Sequence, residues 1–379
     1  MKNLLTPEQQ DQRTQFKTFA DDVVAPLAAT VDSAQSMPRE IIAKLGAAGY
    51  LASMVPRGPG KPVLGAMAYG FLNEELGRTC QSVRNLVACA DMVAHSIYRW
   101  GSAAHRDEWL GRIASGDAVA AFGLTEPRVG SDAKSVQTTA NRVGSEIILQ
   151  GRKRWISFGQ NADVFIVFAK YEGSHTAFLV DRHSVGLSVQ PISDLFGLRG
   201  SMLGEVVLDG CRVPVDGLLG RPGTGLSFVA SSALDVGRYS TAWGAVGLAQ
   251  ACLDASCRYA DERVQFDVPI KGHQLVQRML ANMATDTVAA RMLCYRAGVS
   301  REAGDPDAVN QTLMAKYFSS TVVGRIANDA VQIHGAQGIS SQAPVQRHLR
   351  DAKVLEIIEG TTQIHQSILG QYAVVAGRS

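Results

Sequence analysis

Val164-Phe-Ile-Val-Phe-Ala169 and Thr176-Ala-Phe-Leu-Val180 are apolar runs separated by the polar turn from Lys170 to Ser174. Runs of this length, rich in β-branched and aromatic residues and bounded by turn signals, read as buried strands. Val143-Gly-Ser-Glu-Ile-Ile-Leu-Gln-Gly151 upstream reads as a strand between turns, and Leu187 to Pro191 and Glu205 to Leu208 complete the set. Short strands at a spacing of about ten residues, with no helices between them, predict an antiparallel sandwich or barrel rather than a doubly wound sheet.

On either side of this block the apolar period becomes helical. Thr6-Pro-Glu-Gln9 carries a cap, a proline at the first helical position and a Gln three residues on, so a helix starts there and runs to the low thirties. A second begins near Pro38 and stops at Gly46 to Gly49. Val55 to Pro62 is too rich in proline and glycine for regular structure. From Leu64 to Leu76 and from Val83 to Trp100, apolar residues recur every three or four positions until Gly101 breaks the pattern. Past Leu219-Gly-Arg-Pro-Gly-Thr-Gly225, Ala242, Ala245, Val246, Ala249, Cys252 and Leu253 form one face of small side chains, suited to close helix packing. Gln274 to Arg296 and Ala308 to Gly335 are two more long helices, and a last one follows Gly360. The expectation is an α+β chain of three domains: helical over 1–120, β over 121–225, and a four-helix bundle over 226–379.

Bulk composition narrows the function. A chain of 379 residues is too long for one simple core. A net charge of +2 gives no electrostatic case for nucleic acid or an anionic membrane as main partner. No apolar run approaches the ~20 residues of a membrane span, and Met1 to Glu8 lacks the apolar core of a signal peptide. Cys80, Cys89, Cys211, Cys252, Cys257 and Cys294 show no C-x-x-C spacing and read as reduced, mostly buried thiols of a cytoplasmic protein.

Three stretches carry chemistry. Asp351-Ala-Lys-Val-Leu-Glu-Ile-Ile-Glu-Gly-Thr-Thr-Gln363 puts Glu359 directly before Gly360. Val354, Leu355, Ile357 and Ile358 are apolar enough to be buried, and Thr361 or Thr362 can cap a helix beginning near Gln363. A carboxylate ending a buried segment, beside a glycine that admits another molecule, suits a general base; the alternative is a helix-terminal Glu in solvent. Leu124-Thr-Glu-Pro-Arg-Val-Gly-Ser-Asp132 offers hydroxyls and backbone N–H groups from Thr125, Gly130 and Ser131 to a ring edge or phosphate. In Lys153-Arg-Trp-Ile-Ser-Phe-Gly-Gln-Asn-Ala162, Trp155 can shield one face of a planar ligand while Ser157 bonds its edge. A di-metal bundle needs two Glu-x-x-His motifs, and the one present, Glu172 to His175, falls in a hairpin turn, so no metal is expected. His95 and His105 receive no role. Neither a Rossmann glycine fingerprint nor a P-loop is present.

Thr125-Glu-Pro-x-x-Gly-Ser-Asp132, Trp155-Ile-Ser157, Leu234-Asp-x-Gly-Arg238, Tyr259-Ala-x-x-Arg-x-x-Phe266, Ala330-Val-Gln-Ile-His-Gly335 and Arg350-Asp-Ala-Lys353 with Glu359-Gly-Thr361 resemble, in order and spacing, the acyl-CoA dehydrogenase flavoproteins. The likeness spans essentially the whole chain, and that family's helical, β and helical-bundle order agrees with the periodicity. It implies one FAD per subunit, with Thr125, Gly130 and Ser131 lining flavin and pyrophosphate, Trp155 beside the isoalloxazine and Ser157 donating to N5. Thr361 and Gln363 match further cofactor positions. Arg263, Phe266, Gln274, Gln332 and Gly335 match positions that reach the FAD of a neighbouring subunit, which implies a homodimer or homotetramer.

The same resemblance makes Glu359 the base that removes the α-proton of an acyl thioester while hydride leaves the β-carbon for the flavin. The Glu359 N–H and a ribityl hydroxyl would hold the thioester oxygen, with Arg238 and Gly360 at the substrate edge. Some members place the base just before the bundle arginine, but that position is Gly237 here. Departures are Arg128-Val129 where a small pair is usual, and Asp267 where glycine usually follows Phe266. Ser82-Val-Arg-Asn-Leu, Arg99-Trp-Gly-Ser and the Ile-Ile-Glu-Gly-Thr ending resemble the branch that acts on carrier-protein-tethered acyl groups, making hydroxymalonyl or aminomalonyl extender units. The thioester is therefore expected on a carrier protein, or else on CoA as in fatty or branched-chain acid breakdown. A catalytically idle flavoprotein of the same fold is the remaining alternative, and the electron acceptor stays unassigned.

Overall fold

The computed structural model describes residues 5–56 and 63–376. Most of the Val55 to Pro62 loop, and the first four residues, lie outside the described residues. Thr6 accepts from the Gln9 N–H at 3.2 Å while Gln9 accepts from the Thr6 N–H at 3.1 Å, so the expected capping box opens α1 (Pro7–Phe19). The helical path continues through a wide turn at Ala20–Val24 and a tight one at Ala25–Leu27 before α2 (Ala28–Ala34). Pro26, which lacks an N–H, accounts for this change of winding. Then come α3 (Arg39–Ala47), α4 (Ala66–Thr79), α5 (Gln81–Trp100) and α6 (Ala103–Ser115). α5 is buried from Gln81 to Ala94, since α6, the strand Ala120–Gly123 and the long helix Ser231–Glu262 all pack on it.

The central strands are β1 (Ala120–Gly123), β2 (Thr139–Val143), β3 (Glu146–Ile156), β4 (Val164–Tyr171), β5 (Ser174–Asp181), β6 (Leu187–Pro191), β7 (Gly204–Pro214) and β8 (Leu218–Leu219). They form one sheet in the order β6-β7-β3-β2-β4-β5-β8, with β1 also on β4. Two departures from the expected all-antiparallel sheet stand out. Val143 to Gly151 is a hairpin rather than one strand, β2 turning into β3 at Gly144, whose φ is +62°. β1 and β2 also pair with β4 in parallel, as Ala120 opposite Val164 and Thr139 opposite Lys170 show. β4 reads as a continuous apolar run because both its faces are covered. Val164, Ile166 and Phe168 enter the core shared with the helices, whereas Phe165, Val167 and Ala169 enter a second core inside the β layer.

The last third comprises α7 (Ser231–Glu262), a short hairpin of β9 (Val264–Gln265) and β10 (Val268–Pro269), α8 (Gln274–Glu302), α9 (Ala308–His334), α10 (Pro344–Leu355) and α11 (Thr362–Ala376). The small face of α7 brings α4 very close: a β-carbon added at Gly247 would lie 1.9 Å from the Glu74 carbonyl oxygen. α4 and α5 therefore share the core of the C-terminal helices. Among the described residues no helix is long and apolar enough to cross a membrane, and no His, Cys, Asp and Glu cluster could hold a metal.

Candidate active site

The turn between α10 and α11 holds Glu359. The Thr362 N–H reaches back to the Glu356 carbonyl at 3.0 Å, and Thr361 Oγ1 accepts from the Ile364 N–H at 3.4 Å. Thr361, not Thr362, is thus the cap of α11. The turn is tight enough to put Glu359 at φ +57° and Gly360 at φ +94°. Glycine adopts that region freely, but a glutamate does so at a cost of about 1–2 kcal/mol. Strain of this kind persists where the surroundings impose it: Arg238 Nε donates to the Glu359 carbonyl at 3.0 Å and Lys316 Nζ donates to the Gly360 carbonyl at 2.8 Å. The apolar run ahead of Glu359 is less buried than expected. Leu355 is enclosed, Val354 and Ile358 are half-buried, and Ile357 turns outward at 54% exposure as the helix unwinds.

Although Glu359 as a whole is half-buried, its Oε2 is sealed from water and has no hydrogen-bond partner. A β-carbon at Gly237 would lie 2.5 Å from that oxygen and 2.7 Å from Met92 Sδ, so the carboxylate fills the space that this glycine leaves on α7. Burial raises the proton affinity of Glu359 above the ordinary glutamate range, against the opposing pull of Arg238, Arg84 and Lys316. Of the alternatives left by the sequence, a helix-terminal Glu in bulk solvent does not fit this geometry.

α5 connects the carboxylate to the β layer. Its Cys89 lies in the field of Glu359 and beside Ser157, and Asn85 Nδ2 donates to both Ser157 Oγ and Ser201 Oγ at 3.1 Å. Trp155, just before, has φ +63° and is half exposed, with the Arg154 guanidinium 4.9 Å from its ring centroid. The Thr125 carbonyl accepts from the Arg154 N–H at 2.8 Å, which lays the 125–132 loop beside this strand end. Below the loop the Glu126 carboxylate is buried, accepting from Lys153 Nζ at 2.7 Å, the Gln137 N–H at 2.7 Å and the Thr138 N–H at 2.9 Å. Gly130 and Ser131 are exposed above it, and a β-carbon at Gly130 would meet open space.

A second group of candidates lies elsewhere. Arg263 follows α7, and Phe266 tops the β9–β10 hairpin at 89% exposure. Arg263, Gly335, Tyr259 and His334 share a cavity of about 440 Å³, while Gln274 opens α8 and Gln332 is exposed on α9. Asp267 has φ +62°, so the position where the resemblance expects glycine does adopt glycine's conformation. Arg238 on α7 and Arg263 just past its end are 25 residues apart, roughly 37 Å at ~1.5 Å per residue. The two groups cannot meet on one small ligand within a single chain.

Two residues in the site have no role in the sequence pattern. Arg84 is fully buried; Nε donates to Gln81 Oε1 at 3.1 Å and Nη1 to Ser240 and Thr241 hydroxyls at 3.3 and 3.4 Å, while Nη2 has no partner. Lys316 is also fully buried. Its signal is faint but present: a lysine among Leu313, Ala315, Ser319, Ser320 and Val323 on an otherwise uncharged buried stripe. Asp235 is held by Arg301 at 2.6 Å and serves structure.

Three family models match in succession: acyl-CoA dehydrogenase N-terminal domain over residues 6–117, middle domain over 121–211 and C-terminal domain over 223–373. The human mitochondrial short-chain specific acyl-CoA dehydrogenase is 34% identical over 369 residues, covering 96% of this chain and 89% of the relative. The chain belongs to the acyl-CoA dehydrogenase family. Solved relatives agree with this acyl-CoA dehydrogenase in architecture. Glutaryl-CoA dehydrogenase from Mycobacterium smegmatis, in complex with FADH2, has a TM-score of 0.93 at 30% identity, covering all of this chain and 96% of that one. FkbI, described as acting in biosynthesis of the methoxymalonyl extender unit of a polyketide, has a TM-score of 0.87 at 30% identity, with coverages of 95% and 99%.

An acyl-CoA dehydrogenase is an FAD-dependent oxidoreductase acting on acyl thioesters, and this chain fits the cofactor. Trp155 is half exposed, the loop at Gly130 has room beside its backbone, and the Ser157 hydroxyl stands at the same strand end. The expectations of FAD and of the helical, β and helical-bundle architecture are met.

Proposed function

We propose that this acyl-CoA dehydrogenase desaturates, between Cα and Cβ, a short acyl thioester carrying a polar or anionic group at its far end, with Glu359 as the base. The observation that carries the reading is the sealed, unpartnered Oε2 of Glu359 over Gly237. A carboxylate held away from water and raised in proton affinity accepts an α-proton near neutral pH far better than an exposed one. The α-proton passes to Glu359 Oε2, and the electron pair it leaves becomes the new Cα–Cβ double bond. What FAD supplies when bound is a two-electron acceptor for the hydride leaving the β-carbon. The Glu359 N–H stabilises negative charge that develops on the thioester oxygen, and Arg238 and Gly360 border the same site.

Thr125, Gly130, Ser131, Trp155 and Ser157 are assigned to the subunit's own FAD, with Thr361 and Gln363 beside it. Arg263, Phe266, Gln274, Gln332 and Gly335 are assigned to the FAD of a neighbouring subunit. The separation along α7, and the exposed Leu275, Val288, Met292 and Val299 on α8, support a homodimer or homotetramer. Five of the six cysteines are buried and all six are free, which supports a reducing, cytoplasmic setting.

Arg84 supports the polar acyl end. A buried guanidinium without a carboxylate partner is costly unless the working state brings one, and Ser240 and Thr241 add hydroxyl groups beside it. A carrier-protein tether follows the Ser82-Val-Arg-Asn-Leu and Arg99-Trp-Gly-Ser resemblance, while the short-chain acyl-CoA and glutaryl-CoA dehydrogenase relatives support CoA. The test is anaerobic bleaching of the flavin by butyryl and glutaryl thioesters, each on CoA and on a carrier protein. A polar acyl group should bleach fastest, and Glu359→Gln should hold FAD yet fail to bleach. Faster bleaching by butyryl would overturn the polar end, faster rates on CoA the carrier tether, and a bleaching Glu359→Gln the base.

A further inference from the structure

Three successive main-chain carbonyls at the base are each held by a basic side chain from a different helix. Arg238 of α7 donates Nε–H to the carbonyl of Glu359, Lys316 of α9 donates to that of Gly360, and His365 of α11 has Nδ1 2.9 Å from that of Thr361. The His365 ring also packs where Gly360 lacks a side chain, its Cε1 3.1 Å from an added β-carbon. Burial lowers His365 to about 4, so the ring is neutral at pH 7 and Nδ1, facing a carbonyl, carries the proton. That leaves Lys316 and Arg238 as the cations behind the turn. Of the two, Lys316 is completely enclosed, and a buried ammonium is expensive to keep.

We propose that Lys316 is a positioning residue for the base: its grip on the Gly360 carbonyl keeps Glu359 in the left-handed backbone conformation that presents the carboxylate over Gly237, and its charge favours ionisation of that carboxylate. The proposal rests on the reading of Glu359 as the base. Lys316 faces Glu359 and Glu356 in the turn, Arg238 on α7 and His365 on α11; Glu359 in addition faces Arg84 and Cys89 on α5. Desolvation brings Lys316 down to about 7, against the pull of Glu359 and Glu356, so below that pH its positive charge lies beside Glu359. Removing that charge moves the Glu359 ionisation to higher pH. Removing the hydrogen bond frees a strained turn, and a displacement of about 1 Å at a base costs roughly a hundredfold in rate.

The experiment compares Lys316→Met and Lys316→Arg with the unaltered holoenzyme by kcat and KM across pH, FAD content and melting temperature. Lys316→Met should keep its FAD and change KM less than kcat. Its kcat should fall about ten- to a hundredfold, with the acid limb of the kcat profile moved to higher pH. Lys316→Arg should recover part of both. An unmoved acid limb in Lys316→Met overturns the proposal, whether kcat is retained or falls together with FAD content and melting temperature. Glu359→Gln is run in parallel. If it is inactive, such a result removes only the role of Lys316; if it is active, the assignment of the base fails first.

Discussion

The β-carbon that Gly237 lacks would stand 2.5 Å from Oε2 of Glu359. That is closer than two such atoms can lie, so the carboxylate of the last turn and the glycine of α7 occupy complementary space. Gly237→Ala should drive the carboxylate away from its working position while leaving α7 helical, since alanine is the better helix former. The expected outcome is FAD content unchanged and kcat lowered about ten- to a hundredfold, read by anaerobic flavin bleaching. Unchanged kcat would show that the carboxylate works from another position.

The same enclosure makes a prediction about stability. Glu359 binds its proton more tightly folded than unfolded, because burial outweighs the three nearby cations. A carboxyl raised in the folded state contributes stability that is complete below its unfolded value and is lost as pH rises through its folded value. Glu359→Gln should therefore melt above the unaltered protein at pH 8, and the difference should close as pH falls through about 4. Melting curves over that range decide it; a variant that melts lower at pH 8 would mean that the carboxylate is stabilised as an anion.

Under the Thr125 loop, Glu126 and Lys153 form an ion pair at 2.7 Å, both almost wholly buried. Even with this partner, burial brings Lys153 down to about 8. Glu126→Ala would strand the ammonium and two backbone N–H groups, which for a buried pair costs about 3–5 kcal/mol. Denaturant unfolding should show that loss. Because Glu126 anchors Gln137 and Thr138 beside the Thr125 loop, FAD content should fall with it.

What could be read in advance depended on how local the signal was. Glu359, Trp155 and Ser157 sit in short motifs whose turn chemistry is written in adjacent residues. The helices of the bundle announce themselves by period. β2 escaped because Thr139 to Val143 alternates weakly, and its pairing with β4 is parallel and distant in sequence. Ile357 looked buried because an apolar run says nothing of where a helix stops. Arg84 and Lys316 are charged residues whose neighbours come from α7 and the last turn, more than forty residues away in either case. Composition marks such residues as solvent-facing, and only the folded arrangement reverses that.

Arg84 gives the prediction that bears on substrate choice. Its Nη2 is buried without a partner, and Gly244 of α7 makes room for the rest of the side chain, an added β-carbon there lying 2.9 Å from Arg84 Cδ. Arg84→Met keeps much of that volume and removes the charge. If the guanidinium receives a polar or anionic acyl end, kcat/KM for such a thioester should drop by one to two orders of magnitude, about 1.5–3 kcal/mol for a charged hydrogen bond. Butyryl thioester, which offers no polar end, should be used as well as before, because it makes no bond to the guanidinium. Preference between the two thioesters should thus invert while the spectrum of the bound flavin and the melting temperature hold. Equal losses for both would assign Arg84 to the packing of α5 against α7 instead.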